Sequence, residues 1–185
     1  IDQPGALPRI RSAEPTQRLH AIVPDRGGDA SLVGWRGSAF WLSHREGPAR
    51  ALVADSAVRV REPELLGDTG QALLVTDADG EDALEVHHLV GSQPPHRLAG
   101  GALGRVLHTA SAPSGEQVAT VSHDGRVSLV TLADGSIRAL GTSQDGEPVG
   151  LVFSPDGRYL AWAQPTREGE RFRLMVCDLS ADGDP

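Results

Sequence analysis

Ser122-His123-Asp124 places side by side the residue types of a nucleophile, a general base and the carboxylate that orients it. Acyl transfer needs those three groups in a line. Consecutive strand residues instead point to opposite faces, and the parallel string Val75-Thr76-Asp77-Ala78-Asp79-Gly80 marks the segment as an ordinary hairpin corner. Asp77, Asp79, Glu81 and Asp82 around Gly80 offer hard oxygen ligands of the kind calcium takes. Their spacing departs from the Asp-x-Asp-x-Asp-Gly loop with its closing glutamate, so a solvated acidic turn is expected. His87 and His88 diverge on a strand, and His96 and His108 lie in other segments with no Cys or His at ligand spacing; no metal site is expected. Cys177, set among Leu174, Met175, Val176 and Leu179, reads as a buried inert thiol. There is no G-x-S-x-G, P-loop or G-x-G-x-x-G string, so no cofactor is expected. Gly100-Gly101-Ala102-Leu103-Gly104 precedes a strand rather than a helix, and a flexible connecting loop is expected there.

The elements that carry these residues are short strands. The 185 residues include 22 glycines and 13 prolines, which punctuate apolar segments at the cadence of an all-β domain. Leu73-Leu74-Val75 and Phe40-Trp41-Leu42 are continuous apolar runs, as in strands covered on both faces, and no 3.6-residue period persists long enough for a long helix. The chain also repeats itself. Phe153-Ser154-Pro155-Asp156-Gly157 aligns with Ser111-Ala112-Pro113-Ser114-Gly115, and Gly157 and Gly115 are 42 residues apart. Weaker copies centre on Gly70 and Gly27, 45 and a further 43 residues back. Each copy has a strand, a turn, a second strand, an Asp-Gly turn and a third strand. Asp134-Gly135 leads on to a fourth, Ile137-Arg138-Ala139-Leu140. Four antiparallel strands per period of this length make one blade of a β-propeller. Four four-stranded blades are expected at about 18–54, 57–99, 104–141 and 147–180, with 1–17 a linker or the tail of a preceding domain and 181–185 a tail.

On that frame Arg59, Arg61 and Arg105 lie at the start of the innermost strands of the second and third blades, where side chains line a central channel; His108 is their expected neighbour, and Glu147 holds the place of Arg105 in the next blade. The charge balance excludes other roles. All 17 basic residues are arginines, against 25 acidic residues, for a net charge of −8. That argues against a nucleic-acid or anionic-membrane partner. No apolar run approaches the length of a membrane span, and the lone cysteine allows no internal disulfide and suits a reducing compartment. The N-terminus has no basic region followed by an apolar stretch, and the only methionine is Met175, so a processed or excised piece of a longer protein is expected.

The string from Ser31-Leu32-Val33-Gly34-Trp35-Arg36-Gly37 through Phe40-Trp41-Leu42-Ser43-His44 to Ala51-Leu52 resembles the tricorn protease family of bacterial and archaeal serine peptidases. So do Val75-Thr76-Asp77-Ala78-Asp79-Gly80-Glu81-Asp82-Ala83-Leu84-Glu85, Gly104-Arg105-Val106-Leu107, Ser122-His123-Asp124-Gly125-Arg126-Val127 and Phe153-Ser154-Pro155-Asp156-Gly157. The resemblance covers about residues 18 to 180 in consistent order. It implies the first four blades of a seven-bladed propeller, the second of two, within a large cytoplasmic oligomer. The family's catalytic motifs fall outside this chain, so no catalytic residue is carried over. The implied role is substrate access or filtering for oligopeptides and assembly with the remaining blades and protease domains. A self-standing propeller used as a protein-interaction scaffold is the alternative. Four blades of seven leave two blade faces without neighbours, with Trp35, Phe40 and Trp41 expected at one end and Tyr159, Trp162 and Phe172 at the other. Self-association of the isolated chain through those ends is expected.

Overall fold

In the computed structural model, residues 15–53, 55–167 and 171–180 are described. Residues 1–14 of the expected linker or preceding-domain tail over 1–17, and the expected tail over 181–185, lie outside the described residues. After a single 3-10 turn, Pro15–Arg18, every regular element is a strand. β1 (Leu19–Pro24), β2 (Ala30–Trp35), β3 (Ser38–Ser43) and β4 (Arg50–Ala51) form the first antiparallel sheet. β5 (Val60–Leu65), β6 (Gln71–Thr76), β7 (Ala83–His88) and β8 (His96–Leu98) form the second. β9 (Val106–Ser111), β10 (Gln117–Ser122), β11 (Arg126–Thr131) and β12 (Ile137–Thr142) form the third. The fourth, β13 (Val149–Phe153), β14 (Tyr159–Pro165) and β15 (Phe172–Asp178), has three strands among the described residues where a four-stranded blade was expected.

Each sheet is a meander, because the turns between its strands are too tight for any other connection. The turn residue of the third sheet's second hairpin shows the constraint. Gly125 has φ +79, and a Cβ there would lie 2.3 Å from the Ser143 carbonyl oxygen, so only glycine fits. The sheets stack in sequence through their apolar faces. Leu32 and Ala39 of the first meet Val60, Ala72, Leu74 and Leu89. Leu73, Val75, Leu84 and Val86 meet Val106, Val118 and Val130. Ala119, Val121, Val127 and Leu129 meet Leu160, Trp162 and Cys177. The first strands β1, β5, β9 and β13 contact one another in order, so the four sheets converge on that side.

Period-2 alternation decides which residues close these interfaces. Trp162 shares a face with Leu160 and Cys177, is 1% exposed and points back at the third sheet. It therefore does not belong to the open terminal face expected from sequence. That face carries Tyr159 and Phe172, as expected, together with Val152, Leu174 and Val176, between 38% and 72% exposed. At the other end Trp41 packs into the interface of the first two sheets, while Phe40 is half-buried and Ile22 is exposed. The loop at Gly100–Gly104, expected to be flexible, is closed by the Gly101 N–H to the Asp82 carbonyl at 3.0 Å and anchored by the buried Leu103.

Candidate functional site: the innermost strands and their rim

The first strand of every sheet departs from regular pairing near its start. The register shifts between Leu19 and Ala21 in β1, Arg61 and Glu64 in β5, Val149 and Val152 in β13, and opposite Val121/Ser122 in β9. Each is a bulge, which bends the strand and re-aims its side chains. In β5 and β13 the bulge uses left-handed backbone at the same place: Gly150 has φ +70 and Glu62 has φ +45. Glycine takes that conformation freely, whereas glutamate is strained by about 1–2 kcal/mol. These strands are half-buried along much of their length, in contrast to the almost wholly buried β6 and β10. Among them β5 and β9 carry charged and polar side chains, whereas β13 carries none.

Those side chains stitch neighbouring sheets together. Arg61 donates from Nη2 to Asp82 Oδ2 at 2.5 Å and from Nη1 to the Val106 carbonyl at 2.6 Å; Asp82 also accepts the Val106 N–H at 2.8 Å. Glu64 reaches from β5 to β9, where it accepts the Thr109 hydroxyl and, at 2.6 Å, the Ser111 N–H. His108 lies between two carboxylates. Its Nε2 is 2.7 Å from Glu147 Oε1, and its Nδ1 is 3.9 Å from Glu62 Oε2. Three consecutive sheets thus meet at one imidazole. Burial pushes the Glu62 carboxyl above its ordinary range, and the nearby His108 opposes that shift.

The three arginines expected to act together therefore separate. Arg61 is committed to the Asp82 and Val106 bonds. Arg59 and Arg105 are exposed, and neither guanidinium has a hydrogen bond or ion pair among the described residues. What holds them is backbone: the Arg59 N–H donates to Asp77 Oδ1 at 2.8 Å, and the Arg105 carbonyl accepts the His123 N–H at 2.9 Å. His108 is brought to Glu62 and Glu147 rather than to either free arginine. Glu62, Glu64 and Asp82 carry as much of this region as the arginines do. Sequence reasoning left out Glu62 and Glu64 because a bulge does not show in an alternation pattern, and it named Asp82 only as part of the acidic turn.

The other candidates resolve as structural groups. Ser122 is buried with its hydroxyl donating to the Leu103 carbonyl at 2.5 Å, and Asp124 accepts from Arg126 at 2.9 Å, so Ser122, His123 and Asp124 form no relay. Within the acidic turn, Asp77 caps the Arg59 N–H, Asp79 pairs with Arg97 at 3.1 Å and Asp82 holds Arg61. Among the described residues no three His, Cys, Asp or Glu side chains gather as a metal site would require. His87 lies in a buried network, its Nε2 2.9 Å from Glu85 Oε2, while Thr76 donates to Glu85 Oε1 at 2.7 Å. The His87 hydrogen bond, ahead of all else, draws the Glu85 carboxyl below its ordinary range against the cost of burial. Cys177 is buried, which pushes its thiol up and away from the reactive thiolate. A cleft of about 770 Å³ between the second and third sheets is lined by Gln71, Val86, His88, His96 and Gln117 among others, with nothing from the innermost strands.

Consecutive meanders stacked face to face, with their first strands converging, define a β-propeller architecture. The crystal structure of the tricorn protease matches 92% of this chain at TM-score 0.77 and 18% identity, over 17% of its own length. The TolB crystal structure from Acinetobacter baumannii matches 91% at TM-score 0.63 and 19% identity, over 42% of its own length. Both likenesses concern the fold. No family model matches the sequence. Tricorn protease homolog 1 of Streptomyces coelicolor is 49% identical over 150 residues, which is 78% of this chain and 14% of that protein. The chain belongs to the tricorn protease family, and it spans about one seventh of that relative's length. Among the described residues, no helix is long and apolar enough to cross a membrane.

Proposed function

We propose that this chain is a non-catalytic propeller segment of a tricorn-type serine peptidase, acting in oligopeptide access or filtering and in assembly. The observation that carries the reading is the contrast between its two kinds of surface. The innermost strands β5 and β9 keep polar, charged and half-buried side chains, while Ser31, whose Oγ lies 2.8 Å from His44 Nε2, is buried, with His44 Nδ1 turned to the Gly28 carbonyl rather than to an orienting carboxylate. The blades span about 18–54, 57–99, 104–141 and 147–180, the first four of a seven-bladed ring in the cytoplasm. Oligopeptides pass the inner strands, with Arg59, Arg105 and the His108 cluster along the way and Arg61 holding the wall in place. The open apolar face on β14 and β15 supports the assembly part: a following blade of the parent protein covers it there, and the isolated chain self-associates through it. Two assays on the purified chain test the reading together. Fluorogenic oligopeptides should stay uncleaved, yet bind reversibly. Cleavage lost in Ser122→Ala, or no binding by any oligopeptide, overturns it.

A further inference from the structure

The four sheets share a reference point. A backbone hydrogen bond closes the first turn of each: Asp25 to Ala30, Leu66 to Gln71, Ala112 to Gln117 and Ser154 to Tyr159, all at 2.8 to 3.0 Å. Twelve residues before the four accepting carbonyls stand Arg18, Arg59, Arg105 and Glu147. Six residues after them stand Arg36, Asp77, His123 and Pro165. The pairing between these two positions recurs as well. The Arg36 N–H donates to the Arg18 carbonyl at 3.1 Å and the His123 N–H to the Arg105 carbonyl at 2.9 Å, while in the second sheet the Asp77 carboxylate takes the Arg59 N–H at 2.8 Å. Pro165 has no N–H to give, and the fourth sheet holds the exception, Glu147, which pairs with His108.

From this correspondence we infer that Arg18, Arg59 and Arg105 form one carboxylate-binding rim at the start of three adjacent innermost strands, reading the acidic groups of an extended peptide. Each is anchored through its backbone and exposed at its side chain, with no guanidinium hydrogen bond or ion pair among the described residues. Among the described residues six other arginines, Arg26, Arg45, Arg61, Arg97, Arg126 and Arg158, each pair with a carboxylate. Three backbone-anchored arginines without a paired carboxylate at one repeated position stand against the sign of a chain of net charge −8. A guanidinium fork matches a carboxylate in two parallel bonds, which neither a peptide amide nor a cation does. Glu147 ends the arc with the opposite sign, so the rim has a direction. The inference rests on the access reading and adds Arg18, which no channel argument from the second and third blades reaches.

Three labelled hexapeptides separate the two carboxylate sources: a neutral sequence with a free C-terminus, the same sequence amidated, and an amidated one with two internal aspartates. Anisotropy titration of the whole chain should show the neutral amide binding about tenfold more weakly than one or both acidic peptides, the worth of a charge-assisted hydrogen bond. Which acidic peptide gains identifies the source. R18Q/R59Q/R105Q should erase the difference while its thermal unfolding stays as in the parent, and E147R, which completes the arc, should enlarge it. Equal binding of all three peptides, or a difference that survives the triple substitution, overturns the rim but leaves peptide access intact. Absence of binding by all three overturns both.

Discussion

Asp82 Oδ2 accepts the Arg61 guanidinium at 2.5 Å and the Val106 N–H at 2.8 Å, so one carboxylate oxygen ties the second sheet to the first residue of β9. Both side chains are largely withdrawn from water. Removing one partner strands the other, a loss of about 3 kcal/mol. Arg61→Gln should therefore lower the thermal midpoint by about 6–10 °C for a chain of this size, read by circular dichroism. An unchanged midpoint would mean that the pair adds nothing to the join between the sheets.

Glu85 supplies a pH dependence with a defined sign. Its folded-state carboxyl sits below the ordinary value of 4.5, chiefly because His87 bonds to it. A depressed folded value gives stability that is present above pH 4.5 and is lost as pH falls through the folded value. Glu85→Gln should cost about 2 kcal/mol at neutral pH, and the gap to the parent should narrow in denaturant titrations below pH 4.5. A gap that widens in acid would show the sign to be wrong.

Glu62 should respond in the opposite direction. It holds left-handed backbone where the matching residue of β13 is Gly150, and burial disfavours its charged form. Glu62→Gly should stabilise the chain by about 1 kcal/mol at neutral pH, measured by urea unfolding. Destabilisation would mean that the contact with His108 outweighs the strain.

Gly125→Ala puts a methyl group 2.3 Å from the Ser143 carbonyl at φ +79. The turn must move, and a loss of about 2–3 kcal/mol is expected. A substitution tolerated within experimental error would mean that this turn is looser than its contacts imply.

The terminal face of β15 predicts association. Phe172, Leu174 and Val176 alternate along one exposed side, while Met175 and Cys177 face inward. Light scattering should show the molar mass of the isolated chain rising with concentration, and L174R/V176R should return it to a monomer. A concentration-independent monomer in the parent would show that this face needs no cover.

What the sequence disclosed follows from what repeats in it. Gly70, Gly115 and Gly157 recur because each first turn needs positive φ, so the strand order of each sheet was readable. The fates of Arg61 and Trp162 were not. A two-residue bulge between Arg61 and Glu64 resets which side chains face the neighbouring sheet, and nothing in the alternation of Val60–Leu65 announces it. Trp162 was misplaced by counting aromatics near the chain end; its cross-strand pairing with Met175 puts it on the face toward the third sheet. Arg18 was readable in principle, by carrying the repeat spacing back to the degenerate copy around Gly27.

The central claim is that peptides meet this chain on its innermost strands. Amide chemical-shift mapping of the isotopically labelled chain during oligopeptide titration tests it most directly. Shifts should concentrate in β1, β5, β9 and β13 and in the backbone of Arg18, Arg59, Arg105 and His108, with the β7 and β11 amides unmoved. Shifts confined to the cleft around His88 and His96, or to the outer strands β8 and β12, would contradict the account.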